Sequence, residues 1–489
     1  MTTQQADYLI ANGLVVSGTC VAKQDVLVKG EAIARVGADV PKGAAKKVID
    51  ASGKYVLPGV IDAHNHPDNS DKMDTFSVSA AYGGITTIIP FIRSGRHQGA
   101  SGTIVDAVKR FIEEGQRTSV LDFGGHASLV GGDDVERDVP ALIRMGVLSF
   151  KMYMTYPRRG IMIPDDRMVL AIALASREGG LAMVHAENGY VIDYLEERFI
   201  SEGKVSAEYY APSRPRILEA EAVMRAATYA STTDCPMYVV HLSARESMDI
   251  VANWKDQGLR LYGETCPQYL ALTDEAMRRD GALAKIAPPL REPEDNEAMW
   301  EGLATGLIDT VGSDFCGFTK AQKRSGGRTP TPEPRNPGIR VQGSESGPQN
   351  IFEAAFGGNS AEQMLPVVYH GGVNQGRITL PRLVQVMCEN PAKIFGLYPQ
   401  KGTLQPGADA DIVVFDPSVK HTLGAAAQHC KADFTGFEGM EVLGNAVFTM
   451  QRGEVVIEGG ELRRKPGKAK YLAGDPGLAA YAPKGHAVG

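Results

Sequence analysis

Cysteine is scarce in this chain. Six occur among 489 residues, at Cys20, Cys235, Cys266, Cys316, Cys388 and Cys430, and no two form a CxxC pair. That spacing excludes a zinc ribbon and a disulfide framework. Reduced thiols in a cytoplasm are the expectation. No apolar run approaches the roughly 18 residues a transmembrane helix needs, so no membrane contact is expected. The first residues, Met1 to Asp7, carry no basic stretch leading into an apolar one, so no signal peptide is read there. Positive charge is not in excess either: 51 Lys and Arg against 58 Asp and Glu leave a formal charge of −7. A nucleic-acid binder would carry a basic face or stripe, so nucleic acid is not an expected partner. Histidine is sparse, with ten residues, which makes the position of each informative.

What is present is ordinary for a folded protein: 43% hydrophobic and 22% charged residues. The length suits about three domains, or one barrel of about 250 residues with a smaller companion. Short β-rich stretches open the chain, at Tyr8 to Ile10, Leu14 to Ser17, Val26 to Val28 and Ala32 to Val36. The same texture returns at Asp411 to Phe415, Ala446 to Met450 and Glu454 to Ile457. Neither end has enough strands for a sheet of its own, so one discontinuous β-sandwich domain built from both ends is expected.

Between them, eight apolar runs of strand length alternate with helical stretches: Val56 to Ala63, Thr86 to Ile92, Ser119 to Gly124, Ser149 to Met154, Leu181 to Ala186, Met237 to Leu242, Arg260 to Glu264 and Thr310 to Ser313. Buried parallel strands read this way. Eight such units predict an α/β fold, a (β/α)8 TIM-like barrel, with a doubly wound open sheet as the structural rival. The expected division is 1–56 for the first part of the sandwich, 57–395 for the barrel, 396–464 for the rest of the sandwich and 465–489 for an extension. Apolar spacing over Leu380 to Phe395 predicts a helix ending at Gly396. The polar, Gly-, Pro- and Arg-rich stretch Thr319 to Gln349 reads as a lid, a binding loop or a disordered segment. The tail beyond Arg463 reads as an extended arm or a partner contact.

Four of the ten histidines sit at the C-terminal ends of predicted strands: His64 and His66 on the first, His185 on the fifth and His241 on the sixth. Those ends converge on one face of a barrel, where active sites lie, and imidazole is the commonest neutral metal ligand. Residues i and i+2 on a strand share a face, so His64 and His66 can grip one ion. Asp314, ending the eighth strand, can ligate metal and carry a proton. Lys151 lies inside an apolar strand, where an unpaired ammonium is costly and the neutral amine gains weight. A neutral amine can add carbon dioxide to give a carbamate, an anionic two-oxygen ligand.

The matching stretches are Leu57-Pro58-Gly59-Val60-Ile61-Asp62-Ala63-His64-Asn65-His66, Ser149-Phe150-Lys151 through Tyr156, and Val184-His185-Ala186-Glu187-Asn188-Gly189. With them go Val240-His241-Leu242-Ser243, Glu264 to Leu270, Ala287-Pro288-Pro289-Leu290-Arg291, Gly312-Ser313-Asp314, Asn390-Pro391-Ala392-Lys393 and Gly407 to Asp411. As an ordered set this resembles the cyclic amidohydrolases of the amidohydrolase superfamily, the dihydropyrimidinase, hydantoinase and allantoinase group. The resemblance implies two divalent metal ions, with zinc suited to the ligands. His64, His66 and Asp314 would hold one ion, His185 and His241 the other, and the N6-carboxylated Lys151 would bridge them. It implies a bridging hydroxide as nucleophile, Asp314 as general base and acid, and Tyr156 as oxyanion donor. Two divalent cations set against a carbamate, an aspartate and a hydroxide leave one net positive charge, which suits a forming oxyanion. A homotetramer and a small cyclic amide substrate, a dihydropyrimidine or 5-substituted hydantoin, follow from the same resemblance.

The chain departs from the family at three substrate positions. Phe315 stands where a histidine is usual, Ala287 where dihydropyrimidinases have serine, and Glu345 where the family has a substrate-binding asparagine. A carboxylate only accepts hydrogen bonds, and Phe315 beside Asp314 adds an apolar ring. Together they predict a substrate with extra N–H donors or an apolar substituent. The alternatives are a superfamily enzyme acting on another C–N bond (allantoin, an acyclic amide or a deamination) and a non-catalytic assembly homologue. Lys151 argues against a mononuclear deaminase, and the complete ligand set argues against the non-catalytic homologue.

Overall fold

The central apolar runs become a ring of parallel strands. The computed structural model describes residues 5–94, 102–326 and 350–480. Its ring consists of β1 (Val60–Asn65), β2 (Ile85–Arg93), β3 (His126–Ser128), β4 (Ser149–Tyr153), β5 (Leu181–His185), β6 (Met237–Val239), β7 (Leu261–Thr265) and β8 (Thr310–Val311). Each pairs in parallel with the next. β8 returns to β1: Asn65 bridges Phe315, and Ser313 donates its amide and hydroxyl to the Asp62 carboxylate at 2.9 and 2.7 Å. This closure excludes the open sheet.

Side-chain alternation sorts each strand into two faces. On β4, Phe150 and Met152 pack outward into the core under the helices, and Lys151 points into the barrel. Ile61, Ala63, Ile89, Phe91, Met183, Tyr238 and Val240 fill the interior above a floor made by Phe395 and Leu397. That floor follows the helical stretch Leu380 to Ile394, which has a wide turn over Gln385–Glu389. It stops at Gly396, whose φ of +69° suits glycine.

Two expected strands turn out to be divided. The run Val56 to Ala63 serves two sheets. Tyr55–Pro58 pairs antiparallel with Ile412–Thr422 and parallel with Leu14–Val16, within a seven-stranded sheet drawn from both chain ends. The barrel strand starts only at Val60. Gly59 makes the crossing possible, because a Cβ there would lie 2.0 Å from Thr86 Oγ1. The third run also breaks: Asp122–Phe123 pairs with β2, the chain steps over Gly124 and Gly125, and pairing resumes at His126.

Contrary to expectation, the N-terminal end does have strands enough for a sheet of its own: Ala6–Ala11, Asp25–Lys29, Ala32–Gly37 and Ala45–Asp50 form a four-stranded one. It shares a core with the seven-stranded sheet, where Ile10, Val26, Val28 and Ile33 meet Ile412, Val414, Phe448 and Met450. Both chain ends therefore build the sandwich. The tail beyond Arg463 lies on the chain's own barrel: Leu472 donates to the Phe123 carbonyl at 2.8 Å and Ala480 to that of Lys393 at 2.8 Å. Of the polar stretch Thr319 to Gln349, a short helix at Lys320–Arg324 is seen, and 327–349 falls outside the described residues. No helix among the described residues is long and apolar enough to cross a membrane.

Candidate active site

At the C-terminal ends of the strands lies a cavity of about 520 Å3. His64, His66, Lys151, Tyr156, His185, His241, Ala287 and Asp314 all line it. Asp314 Oδ1 lies 3.0 Å from His64 Nε2 and 3.4 Å from His66 Nε2. On the other side, His241 Nε2 is 3.0 Å from His185 Nδ1. Lys151 is buried; its Nζ lies 4.9 Å from the Phe91 ring centre and 5.4 Å from that of Tyr153. Three of these residues sit at strained backbone positions: φ is +66° at Tyr156, +39° at His241 and +49° at Asp314. Left-handed conformations at non-glycine residues cost of order 1–3 kcal/mol each and cluster at functional sites.

The outer nitrogens of two imidazoles are held by carboxylates. Glu264 Oε1 lies 2.5 Å from His64 Nδ1, and Glu187 Oε2 lies 2.7 Å from His185 Nε2. Glu264 also accepts from the Tyr238 hydroxyl at 2.7 Å and the His241 amide at 3.1 Å. Glu187 accepts from Arg214 at 2.7 Å. Carboxylate–histidine pairs of this kind fix ring orientation behind a metal ligand.

The electrostatics fit a cation. Burial opposes a proton on His64, but the Glu264 and Asp314 carboxylates outweigh it and lift its pKa to about 9. Burial holds His66 down at about 4, and His185 and His241 below their ordinary value, so these imidazoles stay neutral and free to ligate. Burial also lowers Lys151 to about 7, against the pull of Glu264 and Asp314. Burial alone would raise Asp314; His64 and His66 hold it well below the carboxylate range. Among the described residues, two side-chain clusters could hold a metal: His64, His66 and Asp314, and also His64, Glu264 and Cys266. The first is the better candidate. Glu264 has both oxygens engaged, and burial pushes the Cys266 thiol well up, away from the ligating thiolate.

Phe315 is corrected by the geometry. It is buried, does not line the cavity, and packs 4.7 Å from Phe76 in the outer core. The strand ends at Val311, and the left-handed turn at Asp314 (φ +49°) brings its carboxylate inward and sends Phe315 outward. Its carbonyl still accepts from the His66 amide at 2.7 Å. Glu345 lies outside the described residues. Sequence reasoning missed Glu264 and Glu187 as supports, and Phe91 and His126. Phe91 stacks 5.1 Å from His66 and lies 4.8 Å from His64. His126 is fully buried, 2.9 Å from the Ala63 carbonyl and 2.5 Å from Ser149 Oγ, and joins β1 to β4. A carboxylate inside the apolar run Leu261–Thr265 was the signal available for Glu264.

A model of the amidohydrolase family matches residues 55–456. A D-hydantoinase of Ralstonia pickettii is 35% identical over 95% of this chain and 98% of its own length. An L-hydantoinase of Paenarthrobacter aurescens is 34% identical over 95% and 98%. Among solved structures, a dihydropyrimidinase from Brevibacillus agri superposes with a TM-score of 0.88 at 32% identity, covering 97% of this chain and 99% of that one.

Proposed function

Because the chain belongs to the amidohydrolase family, we propose that it hydrolyses the amide bond of a cyclic amide or ureide, a 5-substituted hydantoin or a dihydropyrimidine. The observation that carries this reading is the convergence of four imidazoles, Asp314 and Lys151 on one cavity, at the end of a barrel shared with hydantoinases. His64, His66 and Asp314 would hold one divalent ion and His185 and His241 a second, with Lys151, carboxylated by carbon dioxide, between them. Zinc is the metal of choice for these donors. When bound, such ions supply an activated water and polarise the scissile carbonyl.

The remaining steps belong to the chain's own groups. The Asp314 carboxylate takes a proton from the attacking water and passes it to the leaving amide nitrogen. The Tyr156 phenol, which burial keeps protonated, donates to the oxyanion as the carbonyl becomes tetrahedral. Ala287 contributes wall and backbone to the substrate pocket. Glu345 remains part of the proposal as a substrate contact, read by the effect of Glu345→Asn on the ratio of substrates. A homotetramer and a cytoplasmic location belong to the same reading.

The test is a hydrolysis screen of metal-loaded protein on dihydrouracil, substituted hydantoins, allantoin and acyclic amides. Turnover of hydantoins or dihydropyrimidines is expected; turnover of acyclic amides alone would contradict the reading. Tyr156→Phe should lower kcat about 10²–10³-fold, the usual cost of one oxyanion donor.

A further inference from the structure

The cavity mouth carries a cation that the hydrolytic machinery does not use. Two arginines line the cavity, Arg93 and Arg159. Arg93 is neutralised by Asp68 at 2.8 Å. Arg158, next to Arg159, pairs with Asp193 at 3.2 Å and with Glu197. Arg214 pairs with Glu187 at 2.7 Å and Glu196 at 3.5 Å. Arg159 makes no ion pair with any carboxylate among the described residues.

Its position is nevertheless fixed. The Arg159 guanidinium carbon lies 4.5 Å from the centre of the Phe356 ring and 5.2 Å from that of Tyr156. Those rings are themselves 5.5 Å apart. Phe356 is clamped from both sides of the backbone by two fully buried lysines. Lys285 Nζ donates to the carbonyls of Phe352 and Ala354 at 3.0 and 2.7 Å. Lys323 Nζ donates to those of Ala355 and Gly357 at 2.9 and 2.8 Å. The platform under Arg159 is therefore rigid. Stacking uses the face of a guanidinium and leaves its in-plane N–H fork for a carboxylate. Arg159 is exposed, Tyr156 half-buried and Lys151 buried, so the cation lies on the solvent side of the reacting centre.

We propose that Arg159 receives a carboxylate on the exocyclic arm of the ring substrate. The substrate class is then an anionic hydantoin or dihydropyrimidine, with its ring under Tyr156 and its acidic arm directed to the mouth. This rests on the cyclic-amide reading and replaces the preference for an apolar substituent that Phe315 had suggested. Among the described residues Asp314 is the one carboxylate lining the cavity; Glu187 and Glu196, nearby, face Arg214. Asp314 faces His64 and His66 and Asp68 faces Arg93, so neither cancels Arg159.

The experiment compares 5-carboxymethylhydantoin with its isosteric carboxamide on metal-loaded protein, reading both kcat/KM and Kd by calorimetry. The unsubstituted chain should favour the carboxylate by roughly ten- to hundredfold, the range for one charged hydrogen-bonded pair. Arg159→Gln should bring that ratio close to one, and Arg159→Lys should keep part of it. Equal affinity for the two compounds, or an unchanged ratio in Arg159→Gln, overturns the assignment even where both are hydrolysed. Arg159-dependent binding of the carboxylate without turnover of either compound upholds Arg159 and overturns the hydrolase reading instead.

Discussion

Lys151 and Lys401 are the same residue type in the same degree of burial, and they behave oppositely. Lys401 is 2% exposed and Lys151 1%. Burial opposes charge on Lys401, but its Nζ lies 2.9 Å from each of Asp122, Asp409 and Asp411. Those carboxylates win, and its pKa rises above the ordinary lysine value. Lys151 meets aromatic rings and makes no ion pair with a carboxylate among the described residues. There burial wins, and its pKa falls to about 7. The difference separates a lysine that fastens the sandwich to the barrel from one left without a carboxylate partner at the cavity wall.

The largest effect should come from Lys151→Ala, with loss of nearly all hydrolysis and partial recovery by small carboxylic acids that stand in for the proposed carbamate. Full activity in that variant would break the contrast. Next is Lys401→Met. It leaves three carboxylates sharing a site with one ion pair among the described residues, Arg452 on Asp122 at 2.9 Å, and should cost roughly 3–5 kcal/mol of stability. Denaturant melts would read it, and a change under about 1 kcal/mol would mean that the network is decorative.

The smallest effect is a pH dependence. With a folded pKa near 7 and an unfolded one of about 10.4, Lys151 binds its proton more tightly in the unfolded chain. Stability of the metal-free protein therefore rises with pH between those values. From pH 7 to 9 it should gain about 2 kcal/mol relative to Lys151→Met. Lys401 has the opposite sign: its contribution is complete below the unfolded value and disappears only as pH rises through its raised folded pKa, so Lys401→Met should show no such relative slope from pH 7 to 9.

The same contrast marks what could be read from the sequence. Lys151 was legible because it interrupts an apolar strand; Lys401 was not, because its partners come from Asp122 and from the Asp409–Asp411 turn, far apart in the chain. The barrel and the histidines were legible for the same reason as Lys151: local runs with polar residues at their ends. The junction at Gly59 was not, since Tyr55–Pro58 and Val60–Asn65 are both apolar and only the fold assigns them to different sheets. Phe315 was misplaced because its adjacency to Asp314 carries no information about facing until the backbone turn at Asp314 is known. The carboxylates behind His64 and His185 arise from tertiary contact, which no periodicity encodes.

Metal content is the decisive measurement for the role of Lys151. After reconstitution with zinc and bicarbonate, elemental analysis of the intact chain and of Lys151→Ala should find about two ions per chain in the first and well under one in the second, as expected if the modified lysine bridges both ions. Equal stoichiometry in the two proteins would contradict the account, because Lys151 would then hold no metal.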